Sequence, residues 1–410
     1  MVDSIRNLWA SKWWVRVIAV WALTRIFSAA AFMWANTFQG STPWDPIGHP
    51  DYIRYLDSWD AAWYRNIYLF GLGDGRGYDY VLPLDLNGAV KQNAWAFMPG
   101  YPLLIRALTA ILGMHASEPT WAILGNIVSV ILSFGVALMI YRVLNLKLDA
   151  KTSLWAVLLF GFWPASPVLQ TPYAESLALL LLAFGLYYLI QHRYLAAAPW
   201  LVGLSITRPG MVSFAAMLAG MWVVRFVKDR RGAEDFPRPE RWKLAALTLF
   251  SGLLGIVWPL FAWIATGRSD AYTVTELAWR ESVPNAKLQY FSGWVHAGKV
   301  FFGDHLYWLF LPVVMVFTGA LLLYGPMKKL GNEMRLWVAA YMFYLFAVFH
   351  AQSSTWRILM PVFPLIGAFA LFTTKLRPWQ KAVIIAVMAG LQMWWLKQCW
   401  NYIEPDITPP

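Results

Sequence analysis

Apolar residues gather in stretches near twenty long, split by short polar connections rich in Lys and Arg. A helix of about 20 residues crosses the hydrocarbon core of a bilayer, so runs of this kind predict membrane spans. They fall at 13–35, 119–141, 152–168, 174–190, 195–207, 210–227, 244–266, 305–324, 336–350, 356–373 and 379–397. The fold predicted is all-α and polytopic, with about eleven transmembrane helices. Several of these runs are shorter than a full crossing, which predicts broken or tilted helices. The segment 99–113 reads instead as a helix on the membrane surface, because Pro99, Gly100 and Pro102 crowd its start.

Composition agrees with this pattern. The chain is 59% hydrophobic and 13% charged, more apolar than a soluble core requires. Its lone Cys399 excludes an intramolecular disulfide and a cysteine metal site. Twenty-six Trp and nineteen Tyr suit interfacial belts and equally a sugar or lipid site. The net charge of +11 does not indicate nucleic acid, since the cations are spread through short loops and not gathered on one face. The stretch "WWVRVIAVWALTRIFSAAAFMWA" reads as a retained first helix and not as a cleaved signal.

Charge sets the expected orientation. With the N-terminus cytoplasmic, Arg6, Lys12 and five short connections put eighteen Lys and Arg inside, against twelve outside. The two long connections, 36–118 and 267–304, and the tail "NYIEPDITPP" then lie on the extracytoplasmic side of a multi-pass plasma-membrane protein. No repeat or low-complexity linker divides the chain, so residues 1–410 read as one membrane domain with function in its long loops.

The first of these loops carries "DSWDAAWYRNIYLFGL". Asp57 and Asp60, three apart, would share a helix face. A carboxylate among aromatic rings at a membrane surface is partly desolvated and suited to act as a general base. Asp57, or Ser58, would equally serve as an N-terminal helix cap. Arg65 would steer Asp60 or neutralise it.

"SWDAAWYRNIYLFGL" followed by "AFMPGYPLLIRAL" resembles the first luminal loop of GPI mannosyltransferase 2, the PIG-V family. "FWPASPVLQTPYAESLALLL" and "GLSITRPGMVSFA" resemble later segments of that family in the same order. The likeness runs over about 55–220. "TRPG" is one residue shorter than the family's segment and lacks its Asn, and Met98 replaces a Phe. The resemblance implies a GT-C glycosyltransferase that takes mannose from a polyprenyl-phosphate donor and inverts the anomeric centre, with no metal or other cofactor. Asp60 matches the family's loop aspartate. Trp59, Tyr64, Arg65, Tyr173 and Glu175 lie in its motifs and become candidate substrate contacts.

Such a displacement needs one carboxylate to take a proton from the attacking hydroxyl, and cations to hold the departing phosphate. Arg208 sits between two short apolar segments, where a charge either meets phosphate or sugar, or pairs, with Glu175 as a partner. Glu175 itself suits a helix N-terminus as well as a substrate. In "FHAQSSTWRILMPVFPL", His350, Gln352 and Arg357 fit phosphate recognition or an ordinary polar turn. Arg280, Lys287, His296 and Lys299 read as solvated charge. Asp74, Asp79, Asp85 and Asn87 lack a calcium-loop signature and read as turns. The partners expected are the lipid-linked donor, a glycolipid or envelope-glycan acceptor and the bilayer. A GT-C transferase of arabinose or glucose is the alternative. A transporter of lipid-linked glycan would show inverted repeats, which the sequence lacks. The enzyme reading requires Asp60 to face a cavity and not to be sealed in a dry ion pair.

Overall fold

The computed structural model describes residues 12–42, 47–73, 75–280 and 287–402. Arg6, Asp74 and tail residues 403–410 lie outside the described residues. Within them the regular structure is helical, and two isolated strand-like bridges pair Leu72 with Tyr78 and Leu84 with Val90. Each of the eleven apolar segments contains helix, but 152–168 leaves α-helix after Gly161 and 356–373 is interrupted between Ile358 and Pro364.

The first helix, α1, is Trp13–Asn36; the short helices α2 (Tyr52–Leu56), α3 (Asp60–Phe70) and α4 (Gly100–Ile111) follow in the first long connection. Next come α5 (Glu118–Leu144), α6 (Ala150–Gly161), α7 (Glu175–Ile190), α8 (Tyr194–Ser205), α9 (Met211–Arg230) and α10 (Arg238–Thr266). The second long connection holds α11 (Ala271–Leu277) and α12 (Ser292–Leu306). The last group is α13 (Phe310–Leu323), α14 (Gly325–Lys329), α15 (Asn332–Val348), α16 (Thr355–Ile358), α17 (Pro364–Thr373) and α18 (Pro378–Trp395).

Six segments among the described residues are long and apolar enough to cross a membrane: Trp13–Asn36, Glu118–Leu144, Met211–Arg230, Arg238–Thr266, Ser292–Leu323 and Pro378–Trp400. About eleven crossings are therefore not carried by length. At about 1.5 Å per residue, the 12-residue α6 and α8 reach only about two thirds of a hydrocarbon core.

The segment Ser292–Leu323 also departs from the expectation of a long solvated loop ending near residue 304. It is not one rod, because Gly303 has φ +67° and ψ −176° and turns the chain back. Trp294 then stacks on Phe310 at 5.8 Å, and Phe301 stacks on the same ring at 4.9 Å. A Cβ on Gly298 would lie 2.1 Å from the Tyr307 carbonyl oxygen, so only glycine permits this close return.

The core forms where α9 packs on α10 and α15, and α7 on α5 and α8. Phe214 of α9 meets Trp337 of α15 at 4.5 Å between ring centroids. The tryptophans divide between two uses. Trp21, Trp95, Trp121, Trp395 and Trp400 are fully buried, whereas Trp242, Trp308 and Trp379 stand on the outside, as belt residues do.

Between α6 and α7 the chain leaves α-helix, yet every residue from 164 to 174 is buried. Backbone groups buried without a helix ladder need other partners. Here side chains supply them: Gln392 donates to the Trp163 carbonyl at 3.1 Å, and Ser176 donates to the Leu169 carbonyl at 2.9 Å. This irregular segment delivers Tyr173 and Glu175 to the site.

Candidate functional site

A cavity of about 430 Å³ opens where the starts of α3, α7 and α9 meet α11 and the stretch between α15 and α17. One part of its wall is apolar, with Leu179 and Leu182 of α7, Val212 of α9, and Leu254 and Pro259 of α10. The other part holds charge.

Asp60 is the first residue of α3, and the residue before it, Trp59, has φ +60°, a backbone conformation costly for a bulky side chain. Two contacts hold that turn. The Trp59 indole donates to the Trp400 carbonyl at 2.6 Å. The Tyr173 hydroxyl accepts from the Asp60 N–H at 3.1 Å and donates to the Ser58 carbonyl at 3.0 Å. The Asp60 carboxylate is thereby aimed at α16, where Arg357 Nη1 donates to its Oδ2 at 2.5 Å.

The same Nη1 lies 3.1 Å from Glu175 Oε1, and Arg208 Nη2 donates to that oxygen as well. Two acids and two arginines thus alternate in a row: Asp60, Arg357, Glu175, Arg208. Asp60, Glu175 and Arg357 are 9%, 3% and 7% exposed, so each charge would be expensive alone and is tolerated because it is paired. The set is not saturated. Glu175 Oε2 and Arg357 Nε are buried with no hydrogen-bond partner. Asp60 is therefore in an ion pair, but all four residues also line the cavity.

Of the residues singled out in sequence, Asp60, Tyr64, Glu175, Arg208, His350, Gln352 and Arg357 line this space. Trp59, Arg65 and Tyr173 do not. Trp59 lies outside α3 and points to the C-terminal turn. Tyr173 spends its hydroxyl on the backbone around Asp60. Arg65 is five positions beyond Asp60, about 140° around the helix, so it neither steers nor neutralises that carboxylate. It pairs instead with Asp57, whose other oxygen accepts from the Trp121 indole at 2.8 Å. Asp57 is not an N-terminal cap: it closes α2 and shares no helix with Asp60. Burial pushes its carboxyl above the ordinary aspartate range, with Arg65 and Trp121 opposing.

The second long connection contributes more than solvated charge. Tyr272, Glu276 and Arg280 all line the cavity. Tyr272 and Glu276 stand four apart on one face of α11, and Arg280 follows in the turn just beyond it; the four-residue spacing was the signal available in sequence. Arg280 donates to the Val348 carbonyl and is not solvent-directed. Burial raises the Glu276 carboxyl above the usual glutamate range, and the Arg280 charge works against that rise.

The turn 206–210 is seated by α4. The Gly100 N–H donates to the Ile206 carbonyl at 2.7 Å. A Cβ on Gly100 would lie 2.4 Å from Thr207 Oγ1, so the proline-rich start of α4 packs directly beneath Arg208. Among the described residues no group of three or more His, Cys, Asp or Glu is arranged to hold a metal ion. Asp85 Oδ1 accepts the N–H groups of Asn87 and Ala89, both at 2.8 Å, which makes that stretch an Asx-type turn.

Together these features define a polytopic α-helical membrane protein with an acid–arginine row in the wall of an internal cavity. The structure is similar to that of the Archaeoglobus fulgidus oligosaccharyltransferase in its apo form, with TM-score 0.52 and 13% identity over 97% of this chain. It is also similar to the same enzyme in complex with Zn and sulfate, with TM-score 0.48 and 14% identity, covering 92% of this chain and 53% of that one. The likeness to the apo form is one of fold. The chain covers 57% of that oligosaccharyltransferase, a little over half its length. No protein-family model and no curated protein matches the sequence, so the PIG-V resemblance gains no support from them.

Proposed function

We propose that the chain is an inverting GT-C glycosyltransferase that moves a sugar from a polyprenyl phosphate to a hydroxyl of a glycolipid or cell-envelope glycan. Mannose is the sugar proposed, and the extracytoplasmic face is the side of reaction, with residues 1–410 acting as one membrane domain. The observation that carries this reading is Asp60. One carboxylate oxygen is anchored on Arg357, and Oδ1 makes no hydrogen bond to another described residue, in a cavity that joins charge to an apolar wall.

In the proposed step the acceptor hydroxyl gives its proton to Asp60 as its oxygen attacks the anomeric carbon. The bond from that carbon to the phosphate oxygen breaks, and its electron pair leaves with the prenyl phosphate. A phosphate is already a stable anion, so the departing side needs cations and no strong acid. Arg208 borders the apolar wall, where the prenyl chain would lie, and its fork suits a phosphate. His350 and Gln352 line the same space. Tyr64 and the Glu276 face are left to meet the sugar and the acceptor. A transferase of arabinose or glucose would use Asp60 in the same way.

The test is transfer from polyprenyl-phosphate-[14C]mannose by purified protein, with membrane glycolipid as acceptor. Asp60→Asn should lower turnover by about 10²- to 10⁴-fold, the usual share of a general base. Full turnover by that variant would remove the assignment. The glycolipid profile of a deletion strain, short of one sugar, identifies the acceptor.

A further inference from the structure

Arg25 lies in the middle of α1, is 5% exposed, and forms no salt bridge with a described residue. A cation inside a membrane helix is costly and ordinarily finds an acid or a polar cavity. This one finds carbonyls. Nη1 donates to the Ser166 carbonyl at 2.7 Å, and Nη2 donates to the Gly161 carbonyl at 3.0 Å and to the Ser166 hydroxyl. Gly161 is the last residue of α6, where the helix dipole is negative, and the guanidinium lies 4.4 Å from the Trp21 ring centre. A helix end and an aromatic face thus replace a counter-ion.

The segment held this way reaches every part of the acid–arginine row except Arg208. Through Tyr173 it ties the backbone on both sides of Trp59 and so fixes the start of α3 at Asp60. Through the Trp163 indole, which donates to the Trp356 carbonyl at 2.7 Å, it fixes the residue next to Arg357. It then supplies Glu175 directly. Gly161 admits the arrangement because any Cβ there would sit 2.6 Å from the Thr24 side chain of α1.

We propose that Arg25 is a positioning residue for the site: it touches no reacting atom and sets Asp60, Arg357 and Glu175 through the segment 161–174. An uncharged donor could satisfy one carbonyl, but only a guanidinium spans Gly161 and Ser166 together. The consequence for turnover rests on the reading of Asp60 as base; the structural consequence does not.

The experiment is hydrogen–deuterium exchange on the full chain in detergent, run beside the mannose-transfer assay. Arg25→Gln should raise exchange about tenfold or more at 58–62 and 171–176, while α9 and α10 stay protected. In the assay it should lower kcat about 10- to 100-fold with donor KM nearly unchanged, as expected when a reacting group is displaced and the donor site is kept. Arg25→Lys should restore part of both effects. Ser166→Ala removes the Arg25 contact to the hydroxyl together with the hydrogen bond from that hydroxyl to the Gly161 carbonyl. It keeps the charge and the Arg25 bonds to both carbonyls, and should show the same pattern in weaker form if Arg25→Gln does not fold. Unchanged exchange at 58–62 and 171–176, or an equal rise throughout the chain, would overturn the proposal. Absence of transfer by the wild type would count against the glycosyltransferase reading alone, because the exchange pattern still decides the role of Arg25.

Discussion

Arg357 and Asp60 stand 297 positions apart, and the Arg357 Nη1 reaches the Asp60 Oδ2 at 2.5 Å. The same nitrogen is 3.1 Å from Glu175 Oε1, so one guanidinium aligns two carboxylates carried by different helices. Arg357→Met removes both contacts and leaves Asp60 free to rotate. Transfer should fall about 10- to 100-fold from lost alignment, with a smaller change in donor KM. Arg357→Lys should recover only part, because a compact ammonium does not reproduce the planar fork. Steady-state kinetics on the two variants checks this, and a Met variant as fast as wild type would show that the pair does not align the site.

Glu175 is the most enclosed member of the row, at 3% exposure, and Arg208 is its second cation. Arg208→Ala strands part of that buried charge, so unfolding free energy should drop by up to about 3–5 kcal/mol. The double variant Glu175→Gln with Arg208→Gln removes both charges and should be the more stable of the two. Thermal unfolding in one detergent gives the order directly. If the double variant is the weaker, the buried charges contribute more by attraction than they cost in desolvation.

Gly100→Ala tests how the first long connection seats the Arg208 turn. The added Cβ would meet Thr207 Oγ1 at 2.4 Å and the Ile206 carbonyl oxygen at 2.7 Å. Because backbone is involved, the turn must shift, at a cost of about 1–3 kcal/mol. Donor KM should rise more than kcat falls, since Arg208 moves and Asp60 does not. Kinetics identical to wild type would mean that the turn yields without moving Arg208.

Helix positions were legible in sequence because a membrane helix is announced by its own composition, although the run 152–168 left regular helix after Gly161 to deliver the site's irregular segment. The number of crossings was not. Length alone supports six, and the hairpin at Gly303 depends on a contact between Gly298 and Tyr307 that no local pattern encodes. Arg208 beside Glu175 was one of two readable outcomes, since a charge between apolar segments either pairs or lines a polar cavity, and here it does both. Asp60 with Arg357 was not, because their meeting depends on how α3 and α16 converge. The Arg65 expectation failed on helical phase, five residues being about 140° and not one face. Tyr272 and Glu276 on α11, with Arg280 just beyond it, carry no motif, and charge in a long polar connection reads as solvated until the fold turns it inward.

The Glu276 carboxyl is raised by burial, with Arg280 opposing, and this sets a pH signature. In the unfolded chain the group titrates near about 4.3, and in the folded protein it keeps its proton to higher pH. Between those values the folded state binds more protons, so stability falls as pH rises. Its contribution is complete below the unfolded value and is lost as pH climbs through the folded one. Glu276→Gln stays neutral and should lose less stability over that window. Melting temperatures of both proteins from about pH 4 upward check the difference, and parallel curves would show that Glu276 is not held in its neutral form by the fold.

Orientation is open to a direct chemical test. The N-terminus is proposed to be cytoplasmic, which puts the 36–118 connection outside. Leu86 is fully exposed on that connection and accepts a cysteine without disturbing packing. Gly73 is unsuitable, since its φ of +88° disfavours a side chain and a Cβ there would lie 2.7 Å from the Tyr80 ring. The native Cys399 is buried at 6% exposure and should not compete. In intact cells Leu86→Cys should react with an impermeant maleimide, whereas Ala233→Cys, just past the far end of α9, should react only after lysis. The reverse pattern would place the cavity on the cytoplasmic side, where nucleotide sugars are at hand, and the lipid-linked donor would lose its physical rationale.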